Sequence, residues 1–282
     1  MFLRVFAVLA AFLAAATHTA TPATTSPRVA RPHVTQPHQA KAPTARRSAP
    51  VDGADVSWPN CATHLGIAGR HGYHLPMPRG NARFVVVGAT NGPAFTPNPC
   101  LRSQVTWIKK RHLLVSAYAV VHFPTRAELR RFGGRGSSAE RVEHVGAAEA
   151  RHALASLRLA GLQPSMVWVD VETVGGHPWS SHRALNRSLI RGVSHELQRQ
   201  HVSVGIYSYR TAWNKVTGGW RNSLPTWVPS GSPHRADALA RCRQRSFSGG
   251  RVLMGQWTGR GRDFNLTCPG AVPQLAKIFR KT

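Results

Sequence analysis

The sequence predicts an α/β barrel of the (β/α)8 type, a TIM barrel, formed as a single domain over residues 51–282. Three observations predict it. Eight short apolar runs recur along that stretch, most of them bounded by Gly, Pro or Asn. Helical patterns lie between several of the runs. No second linker interrupts the stretch, so one fold must absorb all eight runs. A doubly wound open sheet shows the same alternation, and pattern alone does not separate the two.

The chain begins with a targeting pattern. Arg4 lies in a short n-region, and an apolar stretch runs from Val5 to Ala16. That stretch is too short to cross a bilayer and has the length of a secretory h-region. A signal peptide over residues 1–20 is expected, cleaved after Ala16 or Ala20; an uncleaved anchor is the competing reading. Residues 21–50 are mostly Thr, Pro, Ala, Arg and His, without one acidic residue. Such a segment cannot offset the entropy of ordering, so a flexible, disordered basic linker is expected. It serves either as a solvated spacer or as a hold on an anionic wall polymer.

The strand candidates are 53–57, 84–89, 113–120, 166–171, 202–207, 226–229, 252–256 and 263–266. Near-continuous apolar runs among them suit strands buried on both faces. A helix is expected from Ser138 toward Leu159, with Ser138 as its cap and Glu140 and Glu143 in the first turns. Another is expected from Ser181 to Gln200, where Leu185, Leu189, Val193 and Leu197 form one apolar stripe for core packing.

Composition narrows the function classes. Hydrophobic residues make up 42% of the 282 and charged residues 17%, which suffices for a large core and excludes wholesale disorder. No run of 18 apolar residues predicts a spanning helix. Lys and Arg number 37 against 11 Asp and Glu, a formal charge of +26. That charge invites a nucleic-acid reading. Export and the scattering of Arg over the chain without a DNA- or RNA-binding motif argue against specific nucleic-acid binding. In an oxidising compartment the four cysteines suggest two disulfides. Three pairings exist; Cys61–Cys100 and Cys242–Cys268 join neighbouring stretches of chain and are favoured. There is no CxxC and no HExxH, so no metal is expected. His71 and His74 read as loop residues.

Because acids are scarce, their positions are informative. Glu128, Glu140, Glu143, Glu149, Glu196 and Asp237 fall in apparent helices or loops and read as solvated surface groups; Asp52 abuts the linker. The other four, Asp55, Asp170, Glu172 and Asp263, sit in or just after strand-like runs: GADVSW, MVWVDVET and GRDFNLTC. In a parallel barrel the ligand site forms at the carboxyl ends of the strands, so the four predict an acidic cleft. Asp170 and Glu172 stand at i and i+2, on one side of a strand and about 6–7 Å apart along it. Like charges that close raise at least one pKa. A carboxyl kept protonated near neutrality can donate to a departing glycosidic oxygen, while its ionised neighbour stabilises positive charge in the sugar. A buried ion pair with an arginine is the bland alternative. Trp58, Trp168, Tyr207, Tyr209, Trp227 and Trp257 lie near strand ends, where their faces suit sugar rings or fill a core. Trp58 and Trp257 follow strands and are the better cleft candidates.

These segments, in this order, resemble the family-25 glycoside hydrolases, the lysozyme-like muramidases, and their secreted actinobacterial relatives. DVSWPN resembles the family's opening D-[IV]-S, and FVVVGATNG its second strand, usually KATEG. SAYAVVHF is similar to the third strand, and WVDVET carries the DxE. VGIYSYRTAW, LPTWVP, VLMGQWTG and RDFNLTC resemble the strands that follow, the last with an Asp followed by Asn.

The resemblance implies an exported enzyme cleaving the bond between N-acetylmuramic acid and N-acetylglucosamine of peptidoglycan, without cofactor. It makes Glu172 the general acid and Asp170 the stabiliser of the substrate's acetamido group in a neighbouring-group mechanism. Asp55 and Asp263 would bind sugar or tune that pair, and Tyr207 would add a hydroxyl. The family's second-strand Lys and Glu are replaced by Gly88 and Asn91, with Asn91 retained as a substrate-binding candidate. The alternative is a non-catalytic wall-glycan-binding barrel that keeps the acidic cleft. Either way the expected protein is a secreted, wall-associated monomer, held on anionic polymers by its basic surface.

Overall fold

The structure is a computed structural model that describes residues 48–66, 70–78, 80–90, 94–173, 179–259 and 261–282. Eight strands close into a barrel in sequence order. They are β1 (Asp52–Val56), β2 (Phe84–Gly88), β3 (Leu114–Val120), β4 (Met166–Asp170), β5 (Ser203–Tyr207), β6 (Thr226–Pro229), β7 (Val252–Gly259) and β8 (Arg262–Thr267). The helices are α1 (Leu101–Lys109), α2 (Arg126–Phe132), α3 (Ser138–Leu159), α4 (Arg183–Arg199), α5 (Arg210–Thr217), α6 (Arg235–Arg241) and α7 (Leu275–Ile278). The expected signal peptide, and the expected linker up to residue 47, lie outside the described residues. Among those described, no helix is long and apolar enough to cross a membrane.

The barrel departs from a uniform (β/α)8 pattern at its seam. Strands β1 to β7 run parallel, but β8 is antiparallel to both β7 and β1. Only residues 260 and 261 separate β7 from β8. A parallel return needs a crossover of about a dozen residues, so a connection this short makes a hairpin. Gly261 has φ of +72°, left-handed backbone that glycine adopts without a Cβ penalty. Reversal brings the start of β8, and Asp263 with it, to the rim where the parallel strands end.

Strand alternation divides the apolar side chains into two layers. Outward residues such as Val85, Val87, Val115, Val167, Val169 and Ile206 pack with Ile108, Leu154, Leu157, Leu189 and Leu197 of the helices. Inward residues Phe84, Val86, Met166, Trp168, Trp227 and Met254 fill the barrel. Burial on both faces explains why these strands read as unbroken apolar runs. Trp168 and Trp227 are interior fillers, 6.0 Å apart and edge-on. Gly205 makes room for the first of them: a Cβ there would stand 2.4 Å from the Trp168 ring. Ala271, Ile278 and Phe279 join the inward cluster, and Phe279 meets Phe84 at 4.5 Å.

Three helix expectations need correction. The α3 cap is Ser137, whose hydroxyl accepts from the Glu140 amide while the Glu140 carboxylate accepts from the Ser137 amide at 2.7 Å. Ser138 is the first helical residue instead. The α4 helix starts at Arg183 rather than Ser181, because the Asn186 side chain bonds the Ser180 backbone through both its oxygen and its nitrogen. Glu149 and Glu196 are buried, not solvated. Glu149 continues the inner face of α3 from Val142 and Val145 and lies 3.6 Å from His122 Nδ1. Glu196 sits beside the Val193 and Leu197 face of α4 and is held by Arg199 at 2.7 Å. In that helix Leu189, Val193 and Leu197 are buried, whereas Leu185 is half-buried at the end of the stripe.

Both favoured disulfides are present, Cys61–Cys100 and Cys242–Cys268. The first ties the 3-10 turn Trp58–Asn60 to the start of α1; the second ties the end of α6 to the end of β8. They close loops with sequence separations of 39 and 26 residues. Replacing either pair by serines is expected to lower unfolding stability by about 3 kcal/mol, read from urea transitions of the oxidised protein.

Candidate active site

The four strand-end acids converge on one rim. Asp55 is the penultimate residue of β1, Asp170 ends β4, Glu172 follows it by two residues, and Asp263 is the second residue of β8. Asp55 Oδ1 accepts from Gln256 Nε2 at 3.0 Å and from Asn265 Nδ2 at 2.6 Å. The Gln256 carbonyl oxygen in turn accepts from the Tyr207 hydroxyl at 2.7 Å. One hydrogen-bonded chain therefore crosses the barrel from β5 through β7 to β1, with β8 attached. Asp170 Oδ1 is buried and has no hydrogen-bond partner among the described residues. Thr258 donates to Asp263 at 2.7 Å. Among the described residues, no ion pair involves any of the four acids.

Burial is the first cause of the shift at each of the four acids. It pushes Asp55 up to about 8, with the charge of Asp263 adding and the Gln256 and Asn265 donors opposing. Burial and then Asp263 raise Glu172 to about 7. Asp170 is driven well above the usual carboxylate range by burial, then by Glu172 and Asp55. Asp263 is also raised by burial, with the Thr258 hydroxyl pulling the other way. Among the described residues, no arginine forms the ion pair considered for the DxE.

A cleft of about 230 Å³ opens beside two of these acids, lined by Asp55, Ser57, Tyr73, Tyr118 and Asp263 among others; Asp170 and Glu172 are not part of its lining. A larger hollow of about 880 Å³ lies across the 75–78 loop, against Trp107 and Arg111; none of the four acids lines it.

The other candidates divide. Tyr207 is buried and bonded into the site. Trp58 is half-buried in the 3-10 turn and packs on Tyr73 at 5.1 Å. Trp257 is not brought to the acids in the same way: it stacks on Phe264 at 5.4 Å, on the strand face opposite Gln256. Tyr209 lies 3.4 Å from the Thr173 hydroxyl. Asn91 lies outside the described residues. Sequence reasoning missed Gln256 and Tyr118. Gln256 was findable, being a polar residue two places after Met254 and so on the same inward face. Tyr118 carried no polar signature in an apolar run.

A family model described as Lys-1, lysozyme-like protein 1, matches residues 138–230, which include Asp170, Glu172 and Tyr207. No curated protein matches the sequence. Among solved structures, the chain is similar to a family GH25 lysozyme from Aspergillus fumigatus at 16% identity and TM-score 0.53, covering 82% of this chain and 99% of that one. It is similar to a muramidase from Acremonium alcalophilum at 16% identity and TM-score 0.54, over 81% and 98% of the two chains. A bacterial lysozyme from Streptomyces coelicolor gives 18% identity and TM-score 0.52, over 81% and 96%. At such identities the likeness is one of fold: this chain and those lysozymes and muramidases share an eight-stranded α/β barrel.

The raised carboxyls make a stability prediction with a definite sign. The native state binds these protons more tightly than the unfolded chain, so their contribution to stability is full below about pH 4, falls as pH rises toward 7 to 8, and is gone above that. Glu172→Gln removes one such group. Its melting temperature is expected to exceed wild type by a few degrees at pH 8 and to match it at pH 4, as read by calorimetry.

Proposed function

We propose that the protein is an exported glycoside hydrolase that cleaves peptidoglycan between N-acetylmuramic acid and N-acetylglucosamine. The observation that carries this reading is Glu172, a carboxyl raised to about 7 within a cluster of acids that no described cation neutralises. A group poised there holds its proton for transfer at neutral pH yet releases it readily. The lysozyme-like model over residues 138–230 and the family-25 fold support the same substrate class.

In this reading Glu172 gives its proton to the glycosidic oxygen as the C1–O bond breaks. The acetamido carbonyl oxygen of the muramic acid attacks C1 and forms a cyclic oxazolinium ion. Asp170 accepts a hydrogen bond from the acetamido N–H and stabilises that cation. Water then adds to C1, giving its proton to the Glu172 carboxylate and opening the ring. Asp55 and Asp263 bind sugar hydroxyls, and the charge of Asp263 helps Glu172 keep its proton. Tyr207 fixes Gln256, which fixes Asp55. The formal charge of +26 holds the enzyme near anionic wall polymers by a screened attraction.

A second reading, a wall-glycan-binding barrel without catalysis, is favoured by one observation: Gly88 offers no side chain where the resemblance expects lysine. Digestion of purified peptidoglycan separates the two. Wild type is expected to release fragments with muramic-acid reducing ends, identified by mass. Glu172→Gln is expected to lower kcat by about 10²–10⁴-fold. Rates should decline as pH rises past about 7 and Glu172 loses its proton. Equal rates for mutant and wild type would sink the enzymatic reading, and glucosamine ends would move the cleavage to the other bond.

A further inference from the structure

Gly88 is the last residue of β2 and pairs directly with Tyr118 of β3. A Cβ at Gly88 would stand 2.9 Å from both Cζ and the hydroxyl oxygen of Tyr118, and 2.8 Å from Cβ of Ser57. Contacts under 3.0 Å have no counterpart in relaxed packing, so any side chain at position 88 displaces the tyrosine or the serine. The space that a β2 side chain would fill at this rim belongs to a phenol delivered from β3.

That phenol lies at the cleft. Tyr118 is half-buried and lines the 230 Å³ hollow together with Asp55, Ser57 and Asp263. Its ring is braced edge-on by Trp227 at 6.1 Å, so the hydroxyl is presented from a fixed platform. Burial and then Asp55 raise the phenol above its ordinary value, with the Ser57 hydrogen bond pulling the other way, so it remains a protonated donor near neutrality. The two tyrosines differ: the Tyr118 oxygen meets the Ser57 side chain as acceptor, leaving its proton free to donate, whereas Tyr207 is buried more deeply and its hydroxyl donates to Gln256.

We infer that Tyr118 is a substrate-contacting residue, admitted to the cleft by the bare backbone of Gly88, whose hydroxyl donates to a saccharide oxygen bound beside Asp55. The inference rests on the glycan-cleaving reading and adds to it the residue that floors the cleft. In chemical terms, a lysine in this space would place a fixed cation among the acids, lowering their pKa values and pairing with one of them. A tyrosine fills the same space with a neutral donor and leaves the acids raised.

Hydrolysis kinetics on soluble peptidoglycan glycan oligomers, with the full chain, test this. Tyr118→Phe keeps the ring and its packing and removes only the oxygen. It is expected to raise KM by about three- to tenfold, the range of one neutral hydrogen bond, and to change kcat less than twofold. Gly88→Ala, which pushes the phenol aside, is expected to reproduce that KM rise in a protein that still melts cooperatively. Titration calorimetry of the same oligomers in a Glu172→Gln background should show a matching loss of affinity. Wild-type KM and affinity in Tyr118→Phe would overturn the role of Tyr118 while leaving the glycosidase reading intact. Absence of both cleavage and binding by wild type would overturn both at once.

Discussion

Gathering four carboxyl groups at one rim, Asp170 buried and the other three half-buried, with no cation paired to them among the described residues, is the constraint around which this structure is arranged. Removing one carboxylate from water is unfavourable, and placing others beside it is more so. The protein has many arginines, yet none of those described pairs with the four acids. Arginine instead pairs with other acids, as with Arg199 on Glu196 and Arg235 on Asp52. What stabilises the cluster is neutral: two amides on Asp55, a threonine on Asp263, and retained protons. The arrangement exchanges stability for reactivity, since a proton held by burial is a proton available for transfer.

The antiparallel seam makes that arrangement attainable. In a barrel of eight parallel strands, residues at the start of the last strand would lie at the opposite end from the site. Reversal through a two-residue connection turns the start of β8 toward the rim. It also sets Gln256 and Asn265 opposite one another across the β7–β8 ladder, so both reach Asp55 from one side. A single topological change thus supplies an acid and two amides.

Much of this was legible in the sequence, for physical reasons. Strands buried on both faces leave continuous apolar runs, and all eight were placed to within a few residues. The same rarity of acids that made Asp55, Asp170, Glu172 and Asp263 conspicuous made them easy to group. Glu149 and Glu196 escaped because they were judged by residue type rather than by helical face; the spacing from Val142 and Val145 already marked Glu149 as inward. The direction of β8 was implicit in the short gap before Arg262, though strand pattern carries no direction. Tyr118 was hidden because its role depends on an absent side chain at Gly88, and only register reveals which residue faces a glycine.

The seam also bears on how the ring is assembled. β1 finds its second neighbour only in β8, and the inward cluster gains Ala271, Ile278 and Phe279 from the residues that follow. A chain presented from its amino end must therefore keep a sheet edge open until some two hundred residues later have arrived. During that interval β1 is a free template for mispairing, and the Phe84 and Met166 surfaces lack their floor. Closure is in this sense a terminal event, and the acidic rim, which needs Asp263 and Asn265, cannot exist before it.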